Sequence, residues 1–340
     1  MRIQQCRPYN SDFLAFCNTK LDELIYSAYG ECGSNVNATA RKLGKDSSQV
    51  SKTVRKIQDR AKIASPELEW DEEINEIAEK PLKVLIFDIE TRPHEAYVWD
   101  FYQQNISHDQ VKEYGHPISF AAKWLGSDDV IYEEARGRNN KPGNDLRLTK
   151  KLMALLDEAD VVVAHNGRAF DVKKMKGRAL KYGLNPPSPY KIADTLSIAR
   201  KEFKLDRNTL EFIADFLGCT PKLKDRRYPG FKLWKECMEG NADAWDEMRE
   251  YNVQDIDTLE EVYLKMRSWS TTHPNLAIFY NSGKPMCPKC SSLELESINP
   301  VQTNTQQYKG WRCKNCGGLA RGRRTISDKE FGKTQLVNAV

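Results

Sequence analysis

A continuous apolar run, Val84 to Phe87, lies within KVLIFDIET at residues 83–91 and carries the β-branched and aromatic side chains of a strand buried on both faces. DVVVAHN at 160–166 has the same character. Between them, SFAAKWLG and DVIYEEA predict a hairpin with Gly126 at its turn, and Lys150 to Ala159 has helical spacing. Strands alternating with helices predict a layered α/β domain. Downstream, Met248, Leu259, Val262 and Met266 recur at steps that build one stripe of a long helix in REYNVQDIDTLEEVYLKM. Near the start the period is helical throughout: Leu21, Leu24, Ile25 and Ala28 share one face, and Val50, Val54 and Ile57 another.

These patterns divide the chain. Residues 1–65 predict an all-α unit resembling the helix-turn-helix class, with small Ala40, turn Gly44 and anchoring Val50 at the expected offsets. Asp46 or Ser47 would cap its second helix. The face opposite the stripe carries Ser48, Gln49, Ser51, Lys52 and Arg55, groups suited to base edges and phosphates. Arg41 to Lys62 holds eight basic and two acidic residues, whereas the 340-residue chain has a net charge of only +4. Nucleic-acid affinity therefore has to be local, with a solvated helical bundle as the alternative reading. Residues 66–81, PELEWDEEINEIAEKP, form an acidic linker, and 82–270 an α/β domain.

The carboxylates interrupt the apolar pattern. Asp88 and Glu90 sit two apart at the end of the first strand, so both project from one face while Ile89 turns into the core. Two anions that close suit Mg²⁺ or Mn²⁺, although a solvated strand end would also read this way. Asn166 and Asp171 follow the DVVVAHN strand at its carboxyl end, where open α/β sheets place ligands, and Asp171 is equally suited to a helix start. Tyr251 and Asp255, i and i+4, fall on the buried stripe of the long helix, an unusual place for an acid. Asp257 falls off that stripe and should be exposed.

FDIET, N-x3-FD and Y-x3-D, in that order, resemble the three exonuclease motifs of the DEDD superfamily, tyrosine subclass. NGRAFD and YNVQD look most like the proofreading domains of family B DNA polymerases. The resemblance covers roughly residues 82–268 and implies a ribonuclease H-like mixed sheet with helices. It further implies a 3′–5′ exonuclease in which Asp88, Glu90, Asp171 and Asp255 share two Mg²⁺ or Mn²⁺ ions, with Tyr251 orienting the attacking water. ADTLSIARKEF and NTLEFIADFLG look like that family's helices, with Asp194 and Asn208 as caps and Gly218 ending the second. The long 205–250 segment and the lack of a polymerase domain depart from the pattern, so proofreading would need a separate polymerase or replication protein.

Two further stretches bear on nucleic acid. In KLKDRRYPGFKLWK, 222–235, Arg226 and Arg227 would meet phosphates while Tyr228, Phe231 and Trp234 stack on unpaired bases, or the loop packs on the helices through those rings. The aromatics of 92–115 are expected mainly to pack.

Nine cysteines include two CxxC pairs, Cys287/Cys290 and Cys313/Cys316, separated for a zinc ribbon at 283–325 that holds one structural Zn²⁺. The remaining five lack pairing logic, which reads as a reducing, cytoplasmic setting. No apolar stretch suits a membrane span or a signal peptide, and the tail after Thr325 reads as a mobile end. The expected function is metal-dependent 3′–5′ hydrolysis of DNA, engaging a single strand or 3′ end, with duplex held by the helix-turn-helix. The rivals are an RNase or structure-specific endonuclease on the same fold, and a non-catalytic DNA-binding regulator.

Overall fold

In the computed structural model the described residues are 11–32, 34–64, 82–220, 226–280, 282–327 and 336. The acidic linker, residues 222–225 of the basic loop and most of the tail after Thr325 lie outside them. The chain divides into two compact units, Met1–Ile77 and Ala78–Val340.

The first unit is helical. Helix α1 (Lys20–Glu31) is capped by the Thr19 side chain, which accepts from Asp22 N, and α2 (Val36–Leu43) by Asn35, which accepts from Ala38 N at 3.0 Å. Gly44, at φ +60, closes α2 in the left-handed conformation that the tight connection to α3 (Ser47–Ala64) requires. Asp46 caps α3, accepting from Ser48 N at 2.8 Å. Val50, Val54 and Ile57 are fully buried, as the stripe predicts. On α1 the buried face differs from expectation. Ile25, Tyr26, Ala28 and Tyr29 are buried, whereas Leu21 and Leu24 are exposed, because the two tyrosines offer more area and pack with Phe13.

The second unit is built on a five-stranded mixed sheet. Its strands are β1 (Val84–Thr91), β4 (Pro117–Trp124), β5 (Val130–Glu134), β6 (Val161–Ala164) and β7 (Lys191–Asp194), in the order β5-β4-β1-β6-β7. β1 is central, antiparallel to β4 and parallel to β6. The short pair β2 (Glu95–Ala96) and β3 (Val111–Glu113) roots an excursion between β1 and β4.

Both faces of β1 are covered, which is why its apolar run is continuous. Leu85, Phe87 and Ile89 pack against α4 (Leu146–Glu158) and α5 (Asp171–Lys181). Val84 and Ile86, on the opposite face, pack against Ile256, Leu259 and Tyr263 of α9 (Ala242–Met266). Helices α6 (Thr195–Glu202), α7 (Leu210–Leu217) and α8 (Lys232–Glu239) complete the layer. Asp194 caps α6 as expected, but the cap of α7 is Thr209, one residue beyond Asn208, whose carbonyl lies 2.9 Å from His165 Nε2.

Three antiparallel strands follow: β8 (Leu295–Gln302), β9 (Gln307–Cys313) and β10 (Leu319–Thr325). The Lys289 ammonium donates to Ser268 O just past α9, tying this module to the α/β body.

Candidate active site and metal centres

β1 presents its carboxylates as the two-residue period requires. Asp88 and Glu90 fall on the α9 face, and Ile89 lies in the opposite core. One oxygen each from Asp88, Glu90 and Asp255 lies within 4.8 Å of the others, with Asp255 buried and the two strand acids half-buried. Three carboxylates that close, partly withdrawn from water, repel unless a cation offsets them. An all-oxygen donor set of this kind fits Mg²⁺ or Mn²⁺.

The second contributor is α9, whose stripe carries Asp255 and one residue that the sequence reading missed. Asn252 is fully buried, donates from Nδ2 to Asp88 Oδ2 at 3.3 Å and accepts from Ser119 Oγ at 3.2 Å. It therefore fixes the rotamer of Asp88 from behind. Its position, four residues after Met248 and three before Asp255, already places it on the stripe. Asp257, off the stripe, accepts from Lys123 at 2.9 Å and stays out of the cluster.

Tyr251 borders the three acids. Burial pushes its hydroxyl well above the usual phenol range, and the charges of Asp255, Glu90 and Asp88 add to the rise while Arg226 opposes it. The group keeps its proton and can donate a hydrogen bond, but it cannot serve as a base. Its ring is held from two sides: the Arg226 guanidinium lies 4.1 Å from the ring centroid, and Trp234 meets it edge-on at 5.9 Å.

Asp171 is not among the three acids that meet within 4.8 Å of one another. It starts α5, on the other side of β1, and accepts from its own backbone N–H and from that of Ile89. β6 ends at Ala164, paired no further along β1 than Ile86↔Val163, and beyond that point the edge of β1 is open for a side chain. The approach is close. A Cβ on Gly167 would stand 2.4 Å from Ala164 Cβ and 3.8 Å from Asp171 Oδ2, so the turn into α5 needs a glycine. Burial raises the Asp171 carboxyl to about 6, with the charge of Asp194 adding to the rise. Asp194 itself accepts from Asn166 N and Arg168 N, fastening the same turn.

The second centre is the cysteine quartet. Sulfurs of Cys287, Cys290, Cys313 and Cys316 all lie within 4.8 Å of one another, with Cys287–Cys316 at 3.6 Å and Cys290–Cys313 at 3.5 Å. Those separations are far beyond a disulfide and suit four thiolates around one tetrahedral ion. The strands between the two CxxC turns form the sheet expected of a ribbon.

Several residues proposed to touch nucleic acid are placed otherwise. Ser48, Gln49 and Lys52 are exposed on α3, but Ser51 is buried and accepts from Arg55 at 2.9 Å. The buried stripe is wider than Val50, Val54 and Ile57 suggest, taking in Ser51, Gln58 and Ala61 as well. In the basic loop, Tyr228 is buried with Trp245 and Met248 rather than free to stack. Arg227 pairs with Asp243, and Phe231 remains exposed. Arg226 instead stacks on the Tyr251 ring.

The sequence model of the RNase_H superfamily matches residues 85–267, spanning every element that builds the acidic cluster. Among solved structures, the family B DNA polymerase of the hyperthermophilic archaeon Pyrobaculum calidifontis is similar at 16% identity and a TM-score of 0.41, covering 56% of this chain. The likeness takes in 26% of that chain, so this protein spans about a quarter of the polymerase's length. No curated protein matches the chain. Among the described residues, no helix is long and apolar enough to cross a membrane.

Proposed function

The chain belongs to the RNase_H superfamily, and from that premise we propose that it is a metal-dependent 3′–5′ exonuclease acting on DNA. The observation that carries the reading is the meeting of Asp88, Glu90 and Asp255 beside Tyr251. The acids would hold divalent ions, and such ions supply an activated water and stabilise the departing 3′ oxygen.

The chain's own groups do the rest. Asn252 keeps Asp88 pointed into the cluster. Tyr251, protonated, donates to the attacking water and orients it, while Arg226 and Trp234 keep the ring from turning away. Arg226 also places a positive charge at the rim, where a scissile phosphate would approach. Asp171 acts from one layer back: bonded to Ile89 N, it fixes the segment of β1 from which Asp88 and Glu90 project. The cysteine quartet would hold one structural Zn²⁺. In the helical unit, Ser48, Gln49 and Lys52 are the groups left to meet duplex DNA, with Arg55 supporting Ser51.

The test is a labelled-oligonucleotide assay with Mg²⁺ or Mn²⁺ against chelator. Asp88→Ala is expected to abolish release of mononucleotides from a free 3′ end, and Tyr251→Phe to leave a slow residual rate. Cleavage of a circular strand would move the assignment to an endonuclease. Unchanged metal-dependent hydrolysis by Asp88→Ala would end it.

A further inference from the structure

The excursion between β1 and β4 carries the densest exposed aromatic surface among the described residues. Trp99 is 95% exposed, Phe101 94%, Tyr102 82% and Tyr97 71%. Sequence reasoning expected these rings to pack, and they do not. Large apolar rings held this openly mark a surface that meets something.

The arm is rooted firmly. Arg92, buried two residues past Glu90, pairs with Glu95 and Glu113 on the two short strands, and Tyr97 N donates to Gln110 O at 2.9 Å. The Lys174 ammonium donates to Gly115 O at 2.9 Å, binding the root to α5. The arm thus leaves the same end of β1 that carries the acids, and only its tip is free of the body.

The neighbouring chemistry selects the occupant. Helix α5 carries five basic residues against one acid, and Lys173, Lys176 and Lys181 are exposed. Between α5 and the arm's root lies a cleft of about 350 Å³, lined in part by Lys112, His116 and Lys181. Both acids in its lining are already paired, Asp145 with Arg178 and Glu113 with Arg92. The tip itself carries amides, Gln103, Gln104 and Asn105, beside the rings. Rings for base faces, amides for base edges and lysines for phosphates together describe a path for an unpaired nucleic-acid strand.

We propose that this arm is a stacking platform that grips unpaired bases of the strand whose end enters the acidic cluster, with α5 following its phosphates. It deepens the nuclease reading and rests on it for the direction of the strand.

The test uses the full-length, zinc-loaded chain carrying Asp88→Ala, so that binding is read without hydrolysis. Fluorescence anisotropy would follow a labelled twenty-residue oligothymidylate and an abasic strand of equal length. A stacked base contributes about fivefold or more in affinity per ring. Trp99→Ala/Phe101→Ala/Tyr102→Ala should therefore weaken oligothymidylate binding about a hundredfold or more and leave the abasic strand unaffected. Leucine at the same three positions should fail equally, and Trp99→Phe alone should bind nearly as the parent does. Unchanged affinity in the triple variant, equal loss on the abasic strand, or retained binding by the leucine variant would each overturn the proposal. So would dimerisation that depends on the rings while strand binding does not. With Asp88 restored, the triple variant should hydrolyse bis(p-nitrophenyl) phosphate, too small to reach the arm, at the parent rate. Absence of that hydrolysis in the parent would count against the nuclease reading and leave the anisotropy result to judge the arm.

Discussion

Replacing Asn252 by Asp changes one atom's chemistry with almost no change in shape. Nδ2, which donates to Asp88 Oδ2 at 3.3 Å, becomes an oxygen facing an oxygen. At an effective dielectric of about 20, two unit charges at that separation repel by about 5 kcal/mol. The lost charge-assisted hydrogen bond adds about 1.5–3 kcal/mol. The new carboxyl can escape by keeping its proton, and then also regains a donor toward Asp88. Holding a proton on a group of ordinary pKa near 4 costs about 4 kcal/mol at pH 7 and about 1.5 kcal/mol at pH 5. Those values cap the destabilisation. Because the folded-state pKa of the introduced acid is raised, the penalty is absent below about pH 4 and grows as pH rises. Urea unfolding without Mg²⁺, followed by tryptophan fluorescence at pH 5 and pH 7, measures the difference. Added Mn²⁺ should recover much of the loss, since a fourth acid strengthens a cation site. A loss equal at the two pH values, or below about 0.5 kcal/mol at pH 7, would refute the account of Asn252 as the group fixing Asp88.

Other outcomes follow from single contacts. His273 stacks on Tyr263 with its Nε2 2.9 Å from the hydroxyl, and burial lowers its pKa to about 4. A depressed histidine loses stability as pH falls from about 6.5 to 4, by up to about 3 kcal/mol, and thermal melts of His273→Gln should lack that limb. Cys316→Ser should drop zinc content from one ion to none and abolish hydrogen-exchange protection in β8–β10, while β1 and β4 stay protected. On α3, Lys52→Ala should reduce the salt dependence of duplex binding by about one counterion, without affecting stability. Arg55→Ala should instead lower the melting temperature through the lost contact to Ser51.

What the sequence determined by itself is what chain geometry fixes locally. The two-residue period put Asp88 and Glu90 on one side of β1, and helical spacing put Tyr251 and Asp255 on the buried stripe of α9. The CxxC spacings defined both knuckles of the cysteine site. Each depends only on residues a few positions apart, where backbone repeat alone sets direction. Tertiary structure decided whatever depends on how elements dock. Asp171 starts α5, which packs on the odd-numbered face of β1, and its carboxylate accepts from Ile89 N at the strand's open edge, a contact no local period records. Ser51 is buried, with Arg55 donating to it, because the covered face of α3 is broader than the spacing of its aliphatics foretold. Arg226 met Tyr251, and Trp99 and Phe101 stood in solvent, because long-range packing chooses which side chains find a partner, and no local period records that choice.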